Sequence, residues 1–351
     1  MYAHLMSNPA GTLPATLRTE VFASNPNLRP YWYAVAQSSD VIPGPLPVVL
    51  LGERLVLWRG EGGALTAAPD RCPHRESPLS LGEVEDGCLV CPYHGWTFSD
   101  GGRCVRVPSS DPGTPVSPKA HLSTVHVTER YGLVWVCLGD PVAGIPEIPE
   151  ASDPTFRRIN NPVEIWTTSA TRMTDNFIDI THFPWVHTGT FGRRQSTAVP
   201  KVELEPLNEF FFGYRYEVEV NNPDHAAATS GSTAKVLTRR MSSGFNLPFT
   251  VRSDIQYETG LEHVIFMLST PIDDVTSYFT FVIWRNDDFS VSAEEVIQFD
   301  RAIGAEDKRM LERIPGVLPI DITGTVSAPA DKGSVEWRRR FASLLKGAPS
   351  A

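Results

Sequence analysis

Two short segments constrain this chain more than anything else in it. Cys72-Pro73-His74 is followed by Cys91-Pro92-Tyr93-His94, so each segment carries one thiol and one imidazole. Proline and glycine crowd both (Pro73, Pro78, Pro92, Gly95), which puts them on loops. Two such loops facing each other offer two thiolates and two ring nitrogens. That donor set fits a tetrahedral zinc ion, or a [2Fe–2S] cluster with both Cys on one iron and both His on the other. Spacing separates the two. Zinc fingers commonly pair Cys with Cys and His with His, whereas here each loop holds one of each. The surrounding runs are strand-like. Val48–Leu51 and Arg54–Trp58 flank Gly52-Glu53, read as a hairpin turn, and Tyr131–Leu138 closes a small antiparallel β domain.

The sequence plainly resembles the Rieske family, on Cys72-Pro73-His74-Arg75 and Cys91-Pro92-Tyr93-His94-Gly95-Trp96. Rieske proteins of respiratory complexes carry an extra Cys in each loop, joined as a disulfide. Here Ser77 and Tyr93 stand at those positions, so the resemblance is to the oxygenase and ferredoxin branch. It implies a lower reduction potential, because fewer contacts stabilise the cluster sulfurs. Cys88, Cys104 and Cys137 have no matching His and read as structural thiols. Five cysteines in 351 residues argue against a disulfide scaffold.

A Rieske ferredoxin would end near residue 140, yet this chain continues far beyond it. The next polar cluster runs from Asp175 to His187. Asn176, Asp179 and His182 are each three apart, so a helix would present them on one face. His187 would point about 140° away on a continuous helix. Pro184 is expected to break that helix and bring His187 back. Two His and one carboxylate form the facial triad of non-haem Fe(II) oxygenases. A second helix is expected from Ser292 to Ile314, with Ser292 and Glu295 as a capping box and Pro315 as the stop. Its apolar stripe is Val296, Phe299, Ile303, Met310 and Ile314. Asp307 falls inside the stripe and calls for a metal or a cation. Asp300 lies only about 20° away and is the alternative.

Together the two motifs resemble the α subunits of Rieske non-haem iron oxygenases, from about Tyr31 to the end. The resemblance implies an iron ligand set of His182, His187 and Asp307, the last in the context Ala305-Glu306-Asp307-Lys308. It also implies that Asp179 links His94 of one subunit to His182 of the next in a head-to-tail homotrimer, with Asn176 beside it. Glu129–Val136 and the 175–187 segment look most like the trimeric α-only group. That group contains saxitoxin-pathway hydroxylases, caffeine-type N-demethylases and dicamba- and vanillate-type O-demethylases. The implied activity is a terminal oxygenase, more a monooxygenase than a dioxygenase. It would use O2 and electrons relayed from NAD(P)H by a separate ferredoxin or flavin-dependent reductase. It would hydroxylate or oxidatively demethylate a small cyclic or aromatic substrate. No G-x-G-x-x-G fingerprint follows a strand, so the reductase is expected to be another chain. The rival readings are an electron carrier with a degenerate catalytic domain and a zinc-binding structural protein.

The expected fold is α+β. An N-terminal arm covers 1–30, with Met6 as an alternative start. A β-built Rieske domain covers 31–139 and a linker with four prolines covers 140–154. A sheet-plus-helices catalytic domain of helix-grip type covers 155–351. Lys and Arg total 31 against 41 Asp and Glu, a net charge of −10, which argues against a nucleic-acid partner. Apolar runs are strand-length and the N-terminus lacks a signal-peptide pattern, so no membrane partner and a cytoplasmic location are expected. Phe210–Phe212, Phe245, Phe249 and Trp284 read as core before pocket. His4, His121, His126, His225 and His263 have no ligand-spaced partner and receive no role.

Overall fold

In a computed structural model, residues 22–42, 44–111, 113–287, 290–321 and 325–347 are described. Met1, Met6 and His4 lie outside them.

Ten short strands build the N-terminal half: β1 (Tyr33–Gln37), β2 (Leu46–Leu50), β3 (Glu53–Arg59), β4 (Leu65–Pro69), β5 (Glu83–Glu85), β6 (Cys88–Val90), β7 (Thr97–Phe98), β8 (Cys104–Arg106), β9 (His126–Arg130) and β10 (Leu133–Cys137). They form three antiparallel sheets, ordered β1-β10-β9, β2-β3-β4 and β5-β6-β7-β8. The hairpin between β2 and β3 is present, but its turn is Leu51-Gly52, one residue earlier than expected. Leu50 pairs with Glu53, and both turn residues have positive φ (53° and 81°). A two-residue turn that matches strand twist needs that conformation, and Gly52 supplies it without strain.

The second half is one large antiparallel sheet. Its strands are β11 (Arg157–Asn160), β12 (Glu164–Trp166), β13 (Glu205–Pro206), β14 (Phe212–Asn221), β15 (Val236–Asn246), β16 (Thr250–Tyr257), β17 (Glu262–Pro271) and β18 (Ser277–Arg285). The order is β11-β18-β17-β16-β15-β14-β13, and β12 pairs with the other end of β18. Strand periodicity assigns its two faces. On β17, Val264, Phe266 and Leu268 pack with Tyr131, Trp135 and Trp284. His263, Ile265 and Met267 face a cavity. The helices are α1 (Ala170–Ile178), α2 (Phe183–Val186), α3 (Ala227–Ser230), α4 (Ala293–Leu311) and α5 (Lys332–Leu345). On α1, Ala170, Met173 and Phe177 join Phe279, Phe281 and Met241 in the main core.

The two halves share that core rather than meeting only through a tether. Tyr33, Val48 and Leu50 belong to the same apolar cluster as Trp166 and Phe249. The Thr270 hydroxyl donates to the Ala34 carbonyl (2.6 Å). The proline-rich segment is docked as well. Ile145 and Ile148 are buried, and the Tyr131 hydroxyl donates to the Pro146 carbonyl (3.1 Å). Of the N-terminal arm, residues 22–30 are described, and they are packed rather than free. Phe22 stacks edge-on with Phe249 and Phe341, and Asp274 accepts from the Phe22 and Ala23 amides.

Candidate metal centres

The two Cys/His loops are the same turn built twice. The Cys72 amide donates to the Ser77 carbonyl (2.9 Å) and the Glu76 amide donates back to the Cys72 carbonyl (2.9 Å). In the second loop the Cys91 amide donates to Trp96 (2.8 Å) and the Gly95 amide to Cys91 (3.0 Å). The fourth residue after each cysteine is left-handed, Glu76 at φ 59° and Gly95 at φ 69°. Each turn therefore projects a buried thiol inward and a histidine beside it. The His74 and His94 rings meet at 4.5 Å, and His74 stacks on Trp96 at 4.6 Å and 4°.

The loops suit a metal group. Burial pushes the Cys72 thiol up to about 11, so a lone thiolate is disfavoured and a cation would relieve it. His74 Nδ1 is buried without a hydrogen-bond partner. Among the described residues, the one set of three or more donors converging within 4.8 Å is His182, His187 and Asp307. A Cys2His2 set with one Cys and one His on each loop suits a two-iron cluster better than tetrahedral zinc.

The second constellation is buried in the catalytic half. His182 Nε2 and His187 Nε2 lie 3.1 Å apart, and each is 3.5 Å from Asp307 Oδ1. Those spacings suit adjacent donors on one ion with bonds near 2.1 Å. Each imidazole is oriented by its own carboxylate. Asp179 Oδ2 accepts from His182 Nδ1 (2.8 Å), and Glu306 Oε2 accepts from His187 Nδ1 (3.2 Å). Both Nε2 atoms are thereby left for a metal. Asn176 Nδ2 donates to Asp307 Oδ1 (3.1 Å). Against the upward push of burial, the His182 hydrogen bond holds the Asp179 carboxyl below its ordinary value. Glu306 is likewise held down against burial, by His187, Thr190 and the Gly189 amide. His182 is raised against burial by Asp179 and Asp307. The pocket thus favours positive charge.

The single-helix reading of this segment is corrected. Helix α1 ends at Ile178, and Asp179 is already extended at φ −73°, ψ 147°. Its carboxylate accepts from the Thr181 amide (3.0 Å), the Thr181 hydroxyl (2.7 Å) and the His182 amide (2.9 Å). Such an aspartate turn competes with helix continuation and wins here. The Tyr214 hydroxyl and Ser243 Oγ take the carbonyls of Ile178 and Phe177 that the ending helix leaves open. Pro184 does not break a helix. It sits in the first turn of α2, where a missing amide costs nothing. His182 and His187 cap the two ends of that single turn.

Helix α4 keeps the expected Ser292/Glu295 capping box and ends at Leu311. Its buried face carries Val296, Asp300, Glu306, Asp307 and Leu311. Met310 and Ile314 are 48% and 38% exposed, so the apolar stripe does not reach them. Asp300 is buried but stands apart from the triad, 3.4 Å from His263 Nε2. Two residues of this region escaped the sequence reading. Glu306 could have been found from its place beside Asp307. His263 carried no local signal, because its partners come from β18 and α4. Of the aromatic residues read as core before pocket, Phe210 and Phe212 are half-buried at the edge of the core. Phe211, Phe245, Phe249 and Trp284 are buried, and none lines the cavity.

The cavity is lined by Phe177, Phe183, Phe191, Met241, Ile265 and Ile303 together with the three residues of the triad. Asn176 and Asp179 line it and also line a separate cleft that holds Arg172, Asp175 and Arg338. These two residues are thus shared by the cavity and the cleft.

A β domain presenting paired Cys/His turns, fused to a sheet-and-helix domain whose helices bring two histidines and a carboxylate together beside a cavity, defines an iron-dependent terminal oxygenase. Residues 31–127 match the Rieske [2Fe-2S] domain, and residues 166–347 match the vanillate O-demethylase oxygenase C-terminal domain. The chain is 32% identical over 328 residues to methylxanthine N1-demethylase NdmA of Pseudomonas putida, covering 90% of this chain and 89% of that one. It is 30% identical over 234 residues to the dicamba O-demethylase oxygenase component of Stenotrophomonas maltophilia, covering 66% and 64%. The structure of Pseudomonas putida NdmA with caffeine superposes with a TM-score of 0.79 at 30% identity, covering 91% of this chain and 92% of that one. The chain belongs to the Rieske non-haem iron oxygenases with a vanillate O-demethylase-type catalytic domain. Among the described residues, no helix is long and apolar enough to cross a membrane.

Proposed function

We propose that this oxygenase component removes an N- or O-linked methyl group from a small aromatic substrate by hydroxylating it, with Cys72, His74, Cys91 and His94 holding a [2Fe–2S] cluster and His182, His187 and Asp307 holding Fe(II). The convergence of the last three at 3.1–3.5 Å beside a cavity with a mainly apolar surface carries this reading. When bound, the cluster supplies electrons one at a time and the iron supplies O2 activation. Asp179 and Glu306 fix the two imidazole tautomers, and Asn176 steadies Asp307. The aromatic and aliphatic wall excludes water from the reacting end. Sequence similarity to N- and O-demethylases supports methyl removal over ring dihydroxylation. Residues 31–139 and 155–351 are the two functional domains in this reading, joined by 140–154 after an arm of 1–30.

The working unit we infer is a homotrimer in the cytoplasm, fed by a separate reductase or ferredoxin. Asp179 is reachable from the outer cleft. The exposed Tyr93 and Leu81 at the cluster tip and the exposed Met310 and Ile314 near that cleft suit a contact between copies. His94 of the partner subunit would then meet Asp179. The test is anaerobic purification, iron and sulfide analysis, and a screen of methylated aromatics with a ferredoxin–reductase pair. Formaldehyde released with stoichiometric demethylated product is expected. Intact metal content with no oxidised product from any substrate would leave only the electron carrier.

A further inference from the structure

Helix α4 sends two buried carboxylates to the cavity. Asp307 meets His182 and His187, and Asp300 precedes it by two helical turns on nearly the same face. That separation puts their positions about 10 Å apart along the helix axis. Asp300 is 8% exposed, and among the described residues its Oδ2 is buried without a hydrogen-bond partner. Facing it from β17 is His263, 4% exposed, whose Nε2 is likewise buried without a partner. The two atoms stand 3.4 Å apart without forming a hydrogen bond.

The tautomer of His263 follows from its other nitrogen. Arg285 Nη1 lies 3.2 Å from His263 Nδ1, and a guanidinium only donates. Nδ1 therefore accepts, and the ring hydrogen sits on Nε2. Arg285 is itself held by Asp287 and by the Thr229 carbonyl, so the imidazole is fixed from behind. The pair thus shows the cavity one N–H donor and one carboxylate acceptor, side by side. Leaving both unmet in a buried wall is costly, and a ligand that meets both removes the cost. Arg239 also lines the cavity. It lies over the Phe191 and Tyr257 rings, 5.4 and 5.0 Å from their centroids, and forms no ion pair with Asp300 among the described residues.

We propose that His263 and Asp300 are the specificity pair of the substrate cavity and hold a neutral carboxamide or lactam edge. The substrate C=O accepts from His263 Nε2–H, and its adjacent N–H donates to Asp300 Oδ2. A planar group with acceptor beside donor matches a donor beside an acceptor, as a side-chain amide matches a base edge. The N–H to carboxylate bond is charge-assisted and is the stronger of the two. The separation of about 10 Å between Asp300 and Asp307 suits one aromatic ring with a substituent at each end. The methyl-bearing end then falls at His182, His187 and Asp307, and Ile265 and Ile303 flank the ring. A carboxylate in the same place would set two negative charges together, so this wall also selects against acids. This inference rests on the oxygenase reading and names the substrate class of that site.

The test uses reconstituted holoenzyme and three probes of one shape. 4-Methoxybenzamide offers C=O and N–H, 4-methoxyacetophenone has a methyl group in place of the NH2, and 4-methoxybenzoate has a charged oxygen there. Binding is followed by calorimetry. Wild type should bind the amide about 30-fold more tightly than the ketone or the acid. In D300A the amide and the ketone should bind alike, within about threefold. D300N keeps an acceptor oxygen without the charge and should retain a preference of about fivefold, which also decides the matter if D300A does not fold. A purely structural Asp300 would lower Tm in both variants and leave the amide-to-ketone ratio at its wild-type value, and that result would overturn the inference. So would tightest binding of the acid, or a wild type that does not separate amide from ketone. Discriminating binding with no formaldehyde from any probe, supplied with a working ferredoxin–reductase pair, would sink the demethylase reading alone. Formaldehyde from all three probes at equal affinity would sink the inference alone.

Discussion

The cluster loops and the iron pocket solve the same problem by different means. The loops take all four donors from two copies of one turn, and each turn is closed by its own backbone hydrogen bonds. Their histidines stand at the rim, and His94 is exposed. The pocket takes its donors from two elements far apart in sequence. Glu306 holds His187 from 119 residues away, and Asn176 holds Asp307 across 131. The carboxylates around it are buried and committed. Local turns make a site that is sturdy, portable and open to an electron partner. Long-range side-chain bonds make a site whose existence depends on the whole domain, and which can be closed to water.

That contrast is open to attack at each end. The largest effect is expected from Asp307→Ala. Iron analysis should show about one iron per chain lost and no turnover, while the visible spectrum of the cluster persists. Asp300→Ala should keep that iron. The reverse result would move the third ligand to Asp300. Next is Asp179→Asn, which keeps shape and removes the charge between two imidazoles. Both centres should load, and cluster reoxidation in a single turnover with substrate and O2 should slow by about 100-fold. Reoxidation at the wild-type rate would remove Asp179 as a bridge and weaken the trimeric reading.

Smaller effects should follow from the orienting residues and turns. Glu306→Gln leaves both ligands but loosens the His187 tautomer. Titration of apo protein with Fe(II) should show about tenfold weaker binding. Unchanged affinity would mean that the second imidazole needs no anchor. On the cluster side, Gly95→Ala forces a side chain into a left-handed position with Pro108 Cγ at 3.1 Å. It should cost about 1–2 kcal/mol by denaturant unfolding. Glu76→Gly, at the matching position of the other loop, should gain at most about 1 kcal/mol. If both substitutions behave alike, the two turns are not equivalent.

The sequence by itself determined the cluster loops, because every feature of them is local. The spacing of Cys72, His74, Cys91 and His94, together with the glycine and prolines around them, already specifies two turns with mixed donors. It also determined the capped helix that carries Asp307, since a capping box and a stop are near-neighbour signals. Local pattern failed where a side chain overrode it. Spacing of three through Asn176, Asp179 and His182 reads as helix until the Asp179 carboxylate is seen to capture the Thr181 and His182 amides. Met310 and Ile314 continue the stripe in sequence, yet α4 ends at Leu311 and they face outward. Only the tertiary structure separates the surroundings of Asp307 and Asp300: Asp307 meets His182 and His187, whereas Asp300 faces His263. Both lie on nearly the same face of one helix, and the difference lies in which histidine each meets across the cavity. Only the tertiary structure could show Arg285 with several partners. Burial and pairing are properties of what the sheet and helices bring together, and no window of the chain contains them.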